Sequence, residues 1–372
     1  MIKTIAFITL IFLCFASCST QNNKAKAQNI SWFKETYNIP DSLIKNLKSY
    51  CITTESDKTS SILLFVYSFD RNIIVFEPKT NQIRLNTSVD SLKGDVRIVA
   101  KDLENFVIEG KYGFNVYFKD KVIRYISKSI LPEDTYIQIL PPFDYHLKSK
   151  SFLVQLLDFR DKEGRSHTMD YNVLAILDST MSLRSIDYRV SKAYGNGELV
   201  DTYLYYSTHS DDWFSASLSH SDSTVSVSSN SDQKPVYTYW GKHFTVEDFV
   251  KPTDTTPMGL FRNRQENIKS YSYGKSMFLR PTNSIPLQIR FLYLPKTVAP
   301  KSNEKYTTHP VRVLVQDSLG NRLPHFDIPG NVHFNLEKWF SDGKGICHLN
   351  MHTPINSETR TVYLEVFTPV VY

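Results

Sequence analysis

The stretch Ser61–Leu85, SILLFVYSFDRNIIVFEPKTNQIRL, decides the fold. An apolar run breaks at Asp70–Asn72, resumes, breaks again at Glu77–Gln82 and resumes a second time. Short runs rich in β-branched and aromatic residues, bounded by turn residues, read as strands joined by tight turns. Three such strands in succession form an antiparallel meander, the unit of a propeller blade.

Copies of its second half recur downstream. Asn72-Ile73-Ile74-Val75-Phe76, a turn and Ile83-Arg84-Leu85 are echoed by Asn115-Val116-Tyr117-Phe118, a turn and Ile123-Arg124-Tyr125. The pattern returns as Asn172–Leu177 with Leu183-Arg184-Ser185, and more faintly as Val311–Val315 with Arg322-Leu323. Arg84 to Arg124 is 40 residues and Arg124 to Arg184 is 60, so the period is loose. A repeat of this size with three or four strands per unit suits a propeller, in which stacked blades bury the faces that one blade leaves open. The expected fold is all-β: a single six-bladed β-propeller over 46–372, with blades near 58–90, 95–131, 135–190, 198–245, 265–300 and 308–372. A large β-sandwich or a pair of stacked β domains is the competing architecture. The 13 glycines favour it, and the repeat argues against it.

Composition supports strands. The chain of 372 residues holds 22 Tyr and 23 Phe and no Leu-rich heptads. Its net charge of +5 is spread along the sequence without a basic stripe, which argues against nucleic acid as a partner.

The N-terminus reads as an export signal. Lys3 precedes an apolar segment, Thr4–Phe15, that is too short for the ~20 helical residues a membrane span needs. Ala16-Ser17-Cys18 resembles the lipobox of bacterial lipoproteins, with Phe15 where an aliphatic residue is usual. That resemblance implies cleavage after residue 17 and a lipid on Cys18. An ordinary secretory signal is the alternative. Residues 1–17 are then the signal peptide and 18–45 the lipidated cysteine and tether, STQNNKAKAQN being polar and without periodicity. The tether lacks the acidic residues that follow the cysteine in surface-exported lipoproteins of Bacteroidetes. The expected location is therefore the outer membrane, facing the periplasm.

Together the lipobox, the length, the repeats Ser61–Leu85 and Asn115–Ser127, and the unit Tyr271-Ser272-Tyr273-Gly274-Lys275-Ser276 resemble the six-bladed, TolB-like propeller lipoproteins of Bacteroidetes, the DUF4221 group. The resemblance implies a propeller and an envelope location. It carries no catalytic residues with it.

Several constellations bear on chemistry. Cys51 precedes the first blade and Cys347 lies in the last, so ring closure by an early strand would allow a disulfide between them, two separate buried thiols being the alternative. Cys347 and His348 alternate across a strand, and His348 and His352 stand about 13 Å apart on strand geometry, too far for one zinc ion. No metal and no cofactor is expected. Asp211-Asp212-Trp213 could present an aromatic platform with carboxylates, as carbohydrate binders do, and Tyr194 and Asn196 mark a second loop; both also read as ordinary turns. The serine-rich tract Ser215–Ser231 reads as an exposed outer strand. No Gly-x-Ser-x-Gly, phosphate-binding glycine loop, His-Glu-x-x-His or sialidase-type box occurs. The sequence thus points to a lipid-anchored, non-enzymatic envelope scaffold that binds a protein or glycan partner. The alternative is an envelope glycan hydrolase or lyase with its site in the central channel.

Overall fold

A computed structural model describes residues 29–54, 61–89, 97–100, 102–110, 113–119, 121–127, 137–146, 151–158, 174–177, 183–186, 204–209, 213–218, 221–228, 233–243, 253–254, 259, 272–281, 285–294, 310–328, 339–341, 344–352 and 361–372. Strand β1 (Ile30–Ile39) and a helical turn α1 (Asp41–Ile44) come first. The first sheet follows: β2 (Leu47–Thr54), β3 (Ile62–Ser68), β4 (Asn72–Glu77) and β5 (Gln82–Ser88). The second holds β6 (Arg97–Ala100), β7 (Asn105–Glu109), β8 (Gly113–Phe118) and β9 (Lys121–Ser127). In the third are β10 (Ile137–His146), β11 (Ser151–Asp158), β12 (Leu174–Leu177) and β13 (Leu183–Ile186). The fourth comprises β14 (Leu204–His209), β15 (Trp213–Leu218), β16 (Ser223–Ser228) and β17 (Val236–Tyr239). Next come β18 (Ser272–Leu279), β19 (Leu287–Tyr293), β20 (Val311–Asp317) and β21 (Arg322–Ile328) in the fifth. The sixth joins β22 (Phe340–Ser341), β23 (Ile346–His352) and β24 (Thr361–Val371) to β1 from the far end of the chain.

In each of the first five sheets the strands pair in sequence order, and the first strand of one sheet meets the first strand of a neighbour. Strand β2 touches β6 and β22, β14 touches β10 and β18, and β18 touches β22. First strands that meet one another surround an axis, with the sheets radiating from it; the chain is an all-β propeller.

The repeats read from the sequence mark one structural position. They are the hairpins β4–β5, β8–β9, β12–β13 and β20–β21, the third and fourth strands of their sheets. Middle strands are covered on both faces, so β19 (LQIRFLY) is buried along its whole length. Outer strands are not, and β21 is largely exposed. Asn81 sits at the β4–β5 turn at φ 56°, a left-handed conformation that asparagine tolerates.

Three expectations about boundaries change. Ile30–Ile39, assigned to the tether, is a strand of the sixth sheet, pairing with β24 in unbroken register from Ile30 opposite Val371 to Ile39 opposite Val362. Ser61–Leu85 spans β3, β4 and most of β5, and its sheet needs β2 as well, so the first unit starts at Leu47 and not near 58. The Val311–Leu323 repeat belongs to the fifth sheet, and the sixth contributes only β22–β24 from the C-terminal end.

The same topology separates the cysteines. The closing strand is β1, whereas Cys51 lies in β2 of the first sheet and Cys347 in β23 of the sixth. Both are buried thiols, with no bond between them. Cys347 packs among Ile52, Leu64 and Leu364, while Cys51 faces Phe65 and Val75 on the other side of its sheet.

Burial between sheets holds the ring. Met277, Ile289, Phe291, Val313 and Trp339 fill the space between the fifth and sixth sheets, and Tyr50, Leu64, Leu349 and Leu364 that between the sixth and first. Each such side chain contributes roughly 1.5–3 kcal/mol.

The contact between the fourth and fifth sheets is of a different kind. Registers place Trp213, Ser215 and Ser217 of β15 opposite Ser228, Ser226 and Thr224 of β16, all on one face. The serine tract is therefore not a water-facing surface. Ser215, Ser217, Thr224, Ser226 and Ser228 are buried. Ser215 Oγ meets Ser276 Oγ at 2.6 Å, Ser217 Oγ donates to the Gly274 carbonyl at 3.1 Å, and Trp240 Nε1 donates to Thr224 Oγ1 at 3.1 Å. Short side chains let two sheets approach closely while the Ser215 and Ser217 hydroxyls find partners in the opposite sheet. Ser215→Val would put a larger apolar side chain against the Ser276 hydroxyl. It is expected to cost about 1–3 kcal/mol, read as a lower urea midpoint with unchanged slope.

Candidate functional site

The polar seam widens outward into a cleft of about 570 Å³ between the fourth and fifth sheets. On the fourth sheet its wall is Trp213 from β15, Ser226 from β16 and Tyr237 to Tyr239 from β17. The fifth sheet supplies Phe278, Arg280, Gln288 and Gln316. Phe278, Gln288 and Gln316 are register partners across β18, β19 and β20, and so form a single row on one face. One edge of the cleft is formed by the turn after β20, Asp317–Gly320.

That turn is locked by its own carboxylate. Asp317 accepts from the backbone of Leu319 (2.9 Å) and Asn321 (2.8 Å) and from the Asn321 side chain (2.8 Å). Gly320, at φ 82°, completes the reversal and leaves Leu319 projecting, 83% exposed. Asp317 is thus engaged in shaping that edge. Gln316 donates to the Tyr239 carbonyl at 2.9 Å and ties the two walls together.

Gln288 differs from its neighbours. Its side chain is 7% exposed, and its amide nitrogen is buried without a hydrogen-bond partner. A buried amide left so costs roughly 1–3 kcal/mol. Behind it on the same face, Arg290 is fully buried with its guanidinium 3.8 Å from the centre of the Tyr273 ring. Tyr273 donates to the Gly241 carbonyl at 2.5 Å, and burial raises its hydroxyl above the ordinary value. His243 is pushed below its ordinary value by burial, and the positive charges of Arg322, Arg312 and Arg290 act in the same direction. Arg322, Arg312 and Arg290 thus lie on this side of the ring, and Arg280 stands at the exposed mouth of the cleft. Of the nearby acids, Asp327 is paired with Arg312 at 2.8 and 2.9 Å, which holds its carboxyl below the usual range.

Among the residues singled out in the sequence, Trp213 lines this cleft. Asp211, Asp212, Tyr194, Asn196 and Cys18 lie outside the described residues. The structure does not bring Cys51 and Cys347 together or near the cleft. His348 and Cys347 do face opposite sides of β23: His348 stacks on Trp339 at 4.3 Å, while Cys347 packs toward the first sheet. Sequence reasoning missed Tyr237, Tyr239, Arg280, Gln288 and Gln316. The signal for the first two was present, since two tyrosines at i and i+2 in a short strand share one face. Gln288 and Gln316 sit inside apolar runs, and nothing local distinguishes them from core-flanking polar residues.

No family model and no curated protein matches the chain. Among solved structures, it is similar to a member of the DUF4221 family from Bacteroides vulgatus, with a TM-score of 0.64 at 11% identity over 93% of this chain and 100% of that one. Fainter likenesses are to Hsv2 of Kluyveromyces lactis (TM-score 0.39, 6% identity, 84% of this chain and 75% of that) and to BBS1N in complex with ARL6DN (0.36, 10%, 91% and 97%). Those two carry no argument. At 11% identity the DUF4221 likeness shows the fold, and it agrees with the strand pairing in making this chain an all-β propeller.

Proposed function

We propose that the chain is a lipid-anchored protein of the bacterial cell envelope, a six-bladed, non-enzymatic propeller that holds a protein or glycan partner. In this reading each of the six four-stranded sheets is taken as one blade. The observation that carries the reading is the position of β1. Cys18 precedes Ile30 by twelve residues, and Ile30 begins the outermost strand of the sixth sheet. A linker of that length reaches at most ~40 Å, so a lipid on Cys18 would tether the propeller by its outer edge close to the bilayer. No helix among the described residues is long and apolar enough to cross a membrane, and the proposed contact is the lipid alone.

The experiment is expression of the full chain and of Cys18→Ser in a Bacteroidetes host, followed by membrane fractionation and detergent phase partitioning. The full chain is expected in the membrane and in the detergent phase, and the variant in neither. Identical partitioning of the two would remove the anchor from the reading.

A further inference from the structure

We infer that the cleft between the fourth and fifth sheets binds an acidic oligosaccharide, with Gln288 as its buried donor. This deepens the proposed scaffold function by naming the partner's chemistry, and it rests on that reading. Four observations on one wall or the other converge.

The first is chemical contrast. The spaces between the fifth and sixth, sixth and first, and first and second sheets are packed with aliphatic and aromatic side chains. Here Ser226, Gln288 and Gln316 line the wall instead. A pyranose has apolar C–H faces and a girdle of hydroxyls, so it needs flat aromatic surfaces flanked by planar amide donors and acceptors. The cleft has both, in Trp213, Tyr237, Tyr239 and Phe278 beside the two glutamines.

The second is the Gln288 amide. A polar group more than nine-tenths buried, facing a cleft and without a hydrogen-bond partner, is poorly placed for stability and well placed to meet a ligand hydroxyl. Gln316, by contrast, is used in joining the walls.

Third, the size fits. About 570 Å³ lies inside the ~300–1,000 Å³ range of small-molecule sites. The rim adds apolar surface at Val236, Tyr237, Tyr239 and Leu319, each more than half exposed.

Fourth, the charge selects an acid. Arg280 stands at the mouth, and among the described residues the one carboxylate in the lining, Asp317, is held by the backbone and side chain of its own turn. A sugar carboxylate would meet Arg280 without facing a free acid among the described residues, and a guanidinium matches a carboxylate in bidentate geometry.

The test uses the chain without its lipid (Cys18→Ser) on an array of neutral and acidic oligosaccharides, hexuronate and sialylated glycans among them, with affinity then measured by calorimetry on a retained glycan. Retention of acidic glycans is expected. Gln288→Leu is expected to weaken binding about ten-fold while the melting temperature holds or rises, because the leucine relieves the unpartnered amide. Trp213→Ala is expected to weaken binding by a similar factor. Retention of neutral glycans only, of no glycan by a folded protein, or binding unchanged in both variants would overturn the assignment. None of these results bears on the Cys18 fractionation, so failure of the cleft and failure of the anchor are separately visible.

Discussion

A variant lacking residues 1–39 is expected to lose cooperative folding, whereas one lacking only residues 1–28 should unfold like the full chain. Strand β1 is the outer strand of the sixth sheet and the only part of that sheet drawn from the N-terminal end of the chain. Its removal strips the backbone partners from β24 along its length, from Val362 to Val371. It also removes Ile39, which is fully buried against the α1 turn and the first and sixth sheets. Trp32 would no longer stack on Phe326 of β21 at 5.2 Å, a contact that links the sixth sheet to the fifth. Lys34, paired with Glu365, goes as well. Losing one fully buried isoleucine and a stacked tryptophan costs several kcal/mol by transfer alone, and native domains hold only ~5–15 kcal/mol in total. The exposed edge of β24 adds an aggregation hazard. Urea denaturation and gel filtration provide the measurement. A sharp, monomeric transition close to that of the control would show that the ring does not depend on this strand.

How much of this was legible in the sequence depends on where the partner of each segment lies. The outer hairpins could be read because both strands and the turn are contiguous, as in Asn72–Leu85, and because the pattern recurs at the same place in several sheets. Strand β1 could not. Its residues are mostly exposed, so ISWFKETYNI gives only a weak apolar signal, and its partner is more than 300 positions away. Cys51 was assigned to the closing seam by a sound rule applied to the wrong strand.

The serine tract shows a second limit. Alternation of Thr224, Val225, Ser226 and Val227 identifies a strand correctly but does not say what covers its polar face. That is decided by the fifth sheet, whose opposing face presents Ser276, Gln288 and Gln316 from three separate strands. The same reason hid the cleft. Trp213 was noticeable as an aromatic beside two acids, but its setting is made by residues 65 to 107 positions downstream, Phe278 to Gly320.

His348→Phe is expected to make the protein more resistant to acid. The imidazole lies in an aromatic column, stacked on Trp339 at 4.3 Å and 7° and tilted against Phe367 at 5.9 Å, with Phe291 stacked on the far side of Trp339 at 4.5 Å. Neither ring nitrogen makes a hydrogen bond. Glu365 Oε2 is 3.3 Å from Nε2 and would favour the charged ring, but that carboxylate is also paired with Lys34 and is not aligned for a hydrogen bond to the histidine. Burial dominates, the Lys34 charge acts with it, and the histidine is pushed down to about 3 from its ordinary 6.5. In that interval the unfolded chain takes up a proton that the folded chain refuses. The contribution is therefore intact above about 6.5 and is lost progressively as pH falls toward about 3. At about 1.4 kcal/mol per pH unit the full window has a ceiling of roughly 5 kcal/mol, and a loss of a few kcal/mol by pH 4 is expected. Phenylalanine preserves the stack and cannot titrate. Urea midpoints for the two proteins should coincide near pH 7.5 apart from a constant offset and diverge below pH 6, the variant falling less. Carboxylates that do not touch this ring act equally on both, so the divergence reads the His348 ring together with its contact to Glu365. Parallel curves down to pH 4 would show that His348 is not the buried neutral group on which the column between the fifth and sixth sheets is built.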